Sequence, residues 1–123
     1  MRVSVLLILI AIASVSGAQT PGSAPPGQSA APAGNAENGK KIYTSYGCYQ
    51  CHNYAAHGGG AGPRLAPKPI PFEAFTRYIR KPGGEMPPYT AKVVSDKELA
   101  DIYAFLRTVP EPLAAGSIPI LKP

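Results

Sequence analysis

The sequence predicts a small all-α domain whose helices frame long loops. Three observations carry that expectation. Two segments show helical periodicity with recognisable ends, no convincing strand pair is present, and the middle is a Gly- and Pro-rich stretch around one motif, "CYQCH" at residues 48–52. With 123 residues the chain is long enough for one small domain and too short for two.

Met1 and Arg2 precede an apolar run over residues 3–15, and Ser16-Gly17-Ala18 closes it with small residues. A spanning helix needs about 20 apolar residues, and this run falls short. The pattern is that of a secretory signal over residues 1–18, cut after Ala18, with an uncleaved membrane anchor as the alternative. It predicts a mature chain in the periplasm, or otherwise outside the cytoplasm, with no stable membrane span after cleavage. Residues 19–35 follow, rich in Pro, Ala and Gly and without charge or bulky apolar side chains, and they read as a tether. The folded domain is expected over residues 36–110, with residues 111–123 as a C-terminal arm. That arm, "EPLAAGSIPILKP", has apolar content without periodicity, which suits a segment lying on a partner.

The first helix is expected over residues 36–46, with Asn35 as its N-cap and Glu37 in the first turn, where the helix dipole favours an acid. Gly39, Ile42, Tyr43 and Tyr46 share one face, and Gly47 stops the helix. The last helix opens on a capping box, Ser95 to Glu98, carries Leu99, Ile102, Tyr103, Phe105 and Leu106, and ends before Pro110. A short helix over residues 72–80 lies between them, with Phe72, Phe75 and Ile79 facing inward. Loops this long around so few apolar residues need something to wrap.

The motif itself supplies a candidate. Zinc needs four ligands, usually in two separated pairs, and Cys48, Cys51, His52 and His57 all fall within ten residues. A redox dithiol of the thioredoxin kind follows a strand, whereas this motif follows a helix. A plain disulfide leaves His52 and the loops without a purpose. Covalent haem accounts for all of it. Cys48 and Cys51 would form thioethers to the vinyl groups, and the adjacent His52 would be the proximal iron ligand. A secreted chain is also where that attachment occurs.

At this point the chain resembles a class I c-type cytochrome over residues 36–109: first helix, CxxCH, Gly-Pro loop, methionine loop and last helix. The resemblance implies one covalent haem c and a fold whose first and last helices cross. Gly39 and Tyr43 would meet Ile102 and Phe105 at that crossing. In "GAGPRL" it gives Pro63 the carbonyl that accepts a hydrogen bond from the proximal imidazole, and it packs Leu65 on the haem. Met86, the only methionine apart from Met1, lies in "KPGGEMPPYT" on a stiff loop without apolar neighbours, which is not where a core methionine sits. With the family's methionine loop beside it, Met86 is the expected sixth ligand, and His52 and Met86 together are the expected metal ligands. His57 is the rival, but five residues beyond His52 is too short a reach to the opposite face.

Methionine–histidine ligation leaves no site for substrate and favours electron transfer. The function expected is an extracytoplasmic electron carrier, without catalytic residues of its own, accepting electrons from a dehydrogenase and passing them towards the respiratory chain. Its partner would be a redox protein, a dehydrogenase subunit or an oxidase, and it could itself be a non-catalytic subunit of such a complex. The alternative is a haem enzyme or gas sensor with an open or labile sixth position. Without Arg2 the chain has 11 basic and 7 acidic residues, a net charge of +4 that suits an acidic partner surface. The basic residues form no stripe with stacked aromatics, so nucleic acid is not expected as a partner. Lys40, Lys41, Arg64, Lys68, Arg77, Arg80, Lys81 and Lys92 fall on segments that the family places around the haem.

Overall fold

The computed structural model describes residues 30–121. The predicted signal over residues 1–18, most of the tether over residues 19–35 and the end of the arm lie outside the described residues. Four α-helices are found among those described: α1 (Ala36–Ser45), α2 (Tyr49–His52), α3 (Phe72–Arg80) and α4 (Asp96–Thr108). Two single-turn 3-10 segments, Ala115–Ser117 and Pro119–Leu121, follow in the arm. Among the described residues there is no strand, only an isolated bridge between Gly59 and Gly62. None of these helices is long and apolar enough to cross a membrane.

The helix starts follow from short polar side chains. Asn35 accepts from the backbone N–H of Asn38 at 2.9 Å, which supplies one of the orphan donors at the start of α1. Ser95 and Glu98 form a reciprocal capping box at α4, and Glu98 accepts from the Ser95 backbone at 2.7 Å. The Ser95 backbone N–H and then the Ser95 hydroxyl, both donating to it, hold the Glu98 carboxyl below its usual range. The end of α1 is a Schellman turn. Gly47 takes φ of 76° and bonds back to Thr44, while Cys48 N–H reaches the Tyr43 carbonyl at 3.1 Å. A side chain at Gly47 would strain that left-handed backbone, so the glycine is what delivers Cys48 directly off the helix.

α1 and α4 form the main contact of the fold. Gly39, Ile42 and Tyr43 are buried on α1, and Leu99, Ala100, Asp101, Ile102, Tyr103, Phe105 and Leu106 on α4. At Gly39 a Cβ would lie 1.9 Å from the Asp101 carbonyl oxygen, so the two backbones touch where only glycine fits. Tyr43 packs on Phe105 with ring centroids 5.4 Å apart. The pairing implied by the resemblance is therefore present. Tyr103 serves the other side of α4: its ring is 5.2 Å from Phe72 and 5.3 Å from Phe75, and so joins α3 to the core.

Packing begins before α1. Ala31 lies against the core, and a Cβ on Gly34 would meet the Ala100 carbonyl at 2.2 Å. The described end of the tether thus runs across α4, held by a bond from Asn35 N–H to Asp101 at 2.7 Å. At the other end, Glu111 pairs with Arg64 and lies 3.7 Å from Lys68, while the described residues beyond it are mostly exposed.

Candidate functional site

The motif sits on a single helical turn. The Gly47 turn leads into α2, where His52 N–H bonds the Cys48 carbonyl at 3.1 Å. Cys48 is half-buried against the core and Cys51 is exposed, and both thiols are free. Burial pushes the Cys48 thiol up from its ordinary value. His52 is buried, 7% exposed, the one buried histidine among the described residues.

Its orientation is set by the loop beyond. His52 Nδ1 lies 2.7 Å from the Pro63 carbonyl oxygen. A carbonyl only accepts, so Nδ1 carries the proton and Nε2 keeps its lone pair for a metal. That loop approaches so closely that a Cβ on Gly62 would fall 2.7 Å from Nδ1 and 2.9 Å from the Cys51 carbonyl. Gly62 N–H bonds that same carbonyl at 3.0 Å.

Asn53 organises the return of the chain. At φ of 57° it turns the backbone sharply after His52; its Oδ1 accepts from Ala55 N–H and its Nδ2 donates to the Gly58 carbonyl at 2.7 Å. The buried Tyr43 hydroxyl donates to the Asn53 carbonyl at 2.8 Å, which ties this turn to α1. Burial, with Cys48 and Cys51 nearby, raises the Tyr43 phenol well above its ordinary value. The fully buried Ala56 then accepts from both Leu65 and Ala66 at 2.8 and 2.9 Å, closing the loop. Pro63 itself is exposed and Leu65 half-buried against the core.

His57 has its own commitment: Nε2 lies 2.9 Å from the Pro110 carbonyl, so that nitrogen donates to the start of the arm. Among the described residues no group of three or more His, Cys, Asp or Glu side chains gathers to hold a metal, so the zinc alternative is not assembled. The donor set fits covalent haem instead: two unpaired thiols on one turn, next to an imidazole whose outer nitrogen is tied and whose inner nitrogen is free.

Met86 is half-buried on the irregular segment between α3 and α4, outside the apolar core cluster. That segment lies near the motif. The Tyr89 hydroxyl donates to the Tyr46 carbonyl at 3.0 Å, two residues before Cys48, and burial with Cys48 and Cys51 close by raises the Tyr89 phenol. Sequence reasoning missed Asn53, Gly62 and Tyr89. "N" after the motif and "GAG" before Pro63 were the available signals for the first two; Tyr89 had none. Several of the cations expected around the haem are engaged in ion pairs. Lys41 pairs with Glu37, Arg77 with Glu73, and Arg80 with Asp96, its side chain only 22% exposed.

An all-α fold with crossing end helices and a CxxCH turn backed by a proline carbonyl defines a monohaem class I c-type cytochrome. A family model described as cytochrome c oxidase, cbb3-type, subunit III, matches residues 34–106, and the chain belongs to that family. No curated protein and no solved structure matches it. The protein therefore carries haem c with its iron, and it is a haem-based electron-transfer protein.

Proposed function

We propose that this cytochrome is an extracytoplasmic one-electron carrier in which Cys48 and Cys51 hold the haem and His52 and Met86 ligate its iron. It would accept an electron from a dehydrogenase and deliver it towards a terminal oxidase. The bound haem supplies an iron that cycles between ferric and ferrous states. The residues would do the rest: Pro63 holds the proton on His52 Nδ1, Leu65 would line the haem pocket, and Met86 would hold the iron against small ligands. The observation that carries the reading is the bond from Tyr89 to Tyr46, which brings the Met86 segment to the mouth of the motif. His57, turned to Pro110, is not free to compete through Nε2.

The matched family description names an oxidase subunit, which supports an oxidase as electron acceptor. The apolar run before Ala18 supports export. Lys40, Lys81 and Lys92 are exposed and have no ion-pair partner among the described residues, which leaves them free to steer an acidic partner.

Substitution of the sixth ligand tests the assignment. Met86→Ala should retain covalent haem, lose the weak far-red band of methionine-ligated ferric haem, bind carbon monoxide when reduced and have a lower reduction potential. If His57→Ala produces those changes and Met86→Ala does not, Met86 is not the ligand. Carbon monoxide binding by the unaltered reduced protein would instead favour a sensor or enzyme with an open position.

A further inference from the structure

Fifteen residues, 81–95, join α3 to α4 and carry Met86. The two sides of Met86 are held very differently. On its N-terminal side lie Pro82, Gly83, Gly84 and Glu85. Gly84 has φ of 65° with open space around it, and the Gly83 carbonyl has only a long 3.5 Å contact from the Tyr78 hydroxyl. Little there resists displacement.

On its C-terminal side the chain is locked within three residues. Pro87 and Pro88 each fix a backbone φ, which leaves few free torsions between Met86 and Tyr89. Tyr89 is then held through every polar group it has. Its N–H bonds the Ile79 carbonyl at 3.1 Å, its hydroxyl the Tyr46 carbonyl at 3.0 Å, and its own carbonyl accepts from Arg80 at 2.8 Å. Its ring also stands edge-on to Tyr46 at 6.4 Å.

Arg80 is the hub of that lock. From the last turn of α3, Nη1 donates to the Tyr89 carbonyl and, at 2.6 Å, to the Val94 carbonyl. Nη2 reaches Asp96 at the start of α4 at 2.6 Å. One planar guanidinium therefore joins α3, both ends of the 89–94 segment and α4. A lysine ammonium is a point charge on a flexible stem and lacks that fixed fork.

The geometry points to Arg80 as a positioning residue for Met86, acting through the Tyr89 carbonyl to hold the methionine segment over the haem face. The inference rests on the reading of Met86 as sixth ligand. Arg80 is bonded to Tyr89, Val94 and Asp96, and through them it limits how often the segment swings away. An exogenous ligand that must displace the thioether reports that opening directly.

The experiment measures cyanide affinity of the ferric holoprotein in Arg80→Met, Arg80→Lys, Met86→Ala and, as a control, Asp101→Asn, alongside the far-red band and the melting temperature. Losing charge-assisted bonds to two carbonyls should make cyanide bind roughly 10- to 100-fold more tightly in Arg80→Met. Arg80→Lys should recover only part of the difference, and it supplies the same readout if Arg80→Met does not mature. Asp101→Asn should lower the melting temperature without altering cyanide affinity. Wild-type cyanide affinity in both Arg80 variants overturns the proposal, as does an equal gain in Asp101→Asn, since that is general loosening. Met86→Ala separates the two layers. If it keeps the far-red band, the ligand reading fails; if it loses the band while the Arg80 variants bind cyanide as wild type does, only the role of Arg80 fails.

Discussion

The crossing of α1 and α4 and the loops around the CxxCH turn are held together in opposite ways. The crossing is backbone against backbone: Gly39 lies on the Asp101 peptide, with Tyr43 and Phe105 closing one side. The loops bury few large side chains and depend on single polar contacts to carbonyls. Asn53 to Gly58, Tyr43 to Asn53, His52 to Pro63, Tyr89 to Tyr46 and Arg80 to Tyr89 and Val94 are side-chain contacts of that scaffold, beside backbone bonds such as those from Leu65 and Ala66 to Ala56. A packed interface tolerates no added volume and fails cooperatively. A set of carbonyl contacts fails one contact at a time, and each failure loosens one part of the haem pocket. The fold of the cytochrome and the tuning of its iron can therefore be damaged separately.

The largest expected effect is at the crossing. In Gly39→Ala the new Cβ would lie 1.9 Å from the Asp101 carbonyl oxygen and 2.3 Å from its carbon. Neither atom belongs to a side chain that can rotate away, so the helices must separate. Overpacking against backbone should cost about 3 kcal/mol or more, enough to unfold a domain of this size or sharply lower its melting temperature. Thermal unfolding with a wild-type midpoint would show that α1 can slide on α4, and the contrast drawn above would collapse.

Gly62→Ala should strike the loops and spare the helices. Its Cβ would meet the His52 ring at 2.7 and 2.8 Å, and that ring is already tied to Pro63. The loop must retreat, weakening the bond that sets the imidazole tautomer, at a cost of roughly 1–3 kcal/mol. The expected result is a lower yield of haem-loaded protein and a shifted visible spectrum, with helix content by far-UV circular dichroism unchanged. Loss of helix content in the purified variant would mean that the two regions are not separable.

The same division explains what could be read from the sequence. Helix ends were readable because capping is local chemistry: Asn35, the Ser95–Glu98 box and Gly47 each act within a few residues of themselves. The motif was readable because haem attachment demands fixed spacing. α2 was not foreseen, because four residues give no periodicity, and its turn is made by Gly47 behind it and Asn53 after it. Arg80 is expected only as one of eight cations on segments around the haem. The chain carries no local sign that its guanidinium turns inward, since its carbonyl partners lie 9 and 14 residues away. The burial of Asp101 was equally hidden, because its partners come from the segment before α1.

Asp101 brings polar contacts into the crossing, and it yields the most diagnostic prediction. The carboxylate is 1% exposed and accepts from Asn35 N–H at 2.7 Å, Asn38 Nδ2 at 2.8 Å and Lys97 Nζ at 3.2 Å. The Asn35 backbone bond, then the Asn38 amide and Lys97, hold its carboxyl below the usual value of 3.8. A carboxyl depressed in the folded state adds stability at pH above its unfolded value, and that stability is lost as pH falls through the folded one. Asp101→Asn presents an amide N–H₂ to donors that expect an oxygen, so near neutral pH it should cost about 1–3 kcal/mol. That is a lower midpoint by several degrees in a domain of this size. As the solution is acidified, wild-type Asp101 takes up its proton and comes to resemble the neutral variant. The gap between the two unfolding midpoints should therefore be constant near pH 7 and narrow below about pH 4, where an ordinary aspartate titrates. Taking the difference cancels most of the acid sensitivity carried by Glu98, whose capping contacts are the same in both proteins; only the Asp101 charge, which raises the Glu98 carboxyl, is missing from the variant. A gap that stays level from neutral to strongly acidic pH would mean that Asp101 contributes shape and not charge. The crossing would then be held by close packing alone, and its contrast with the carbonyl-tied loops would be sharper still.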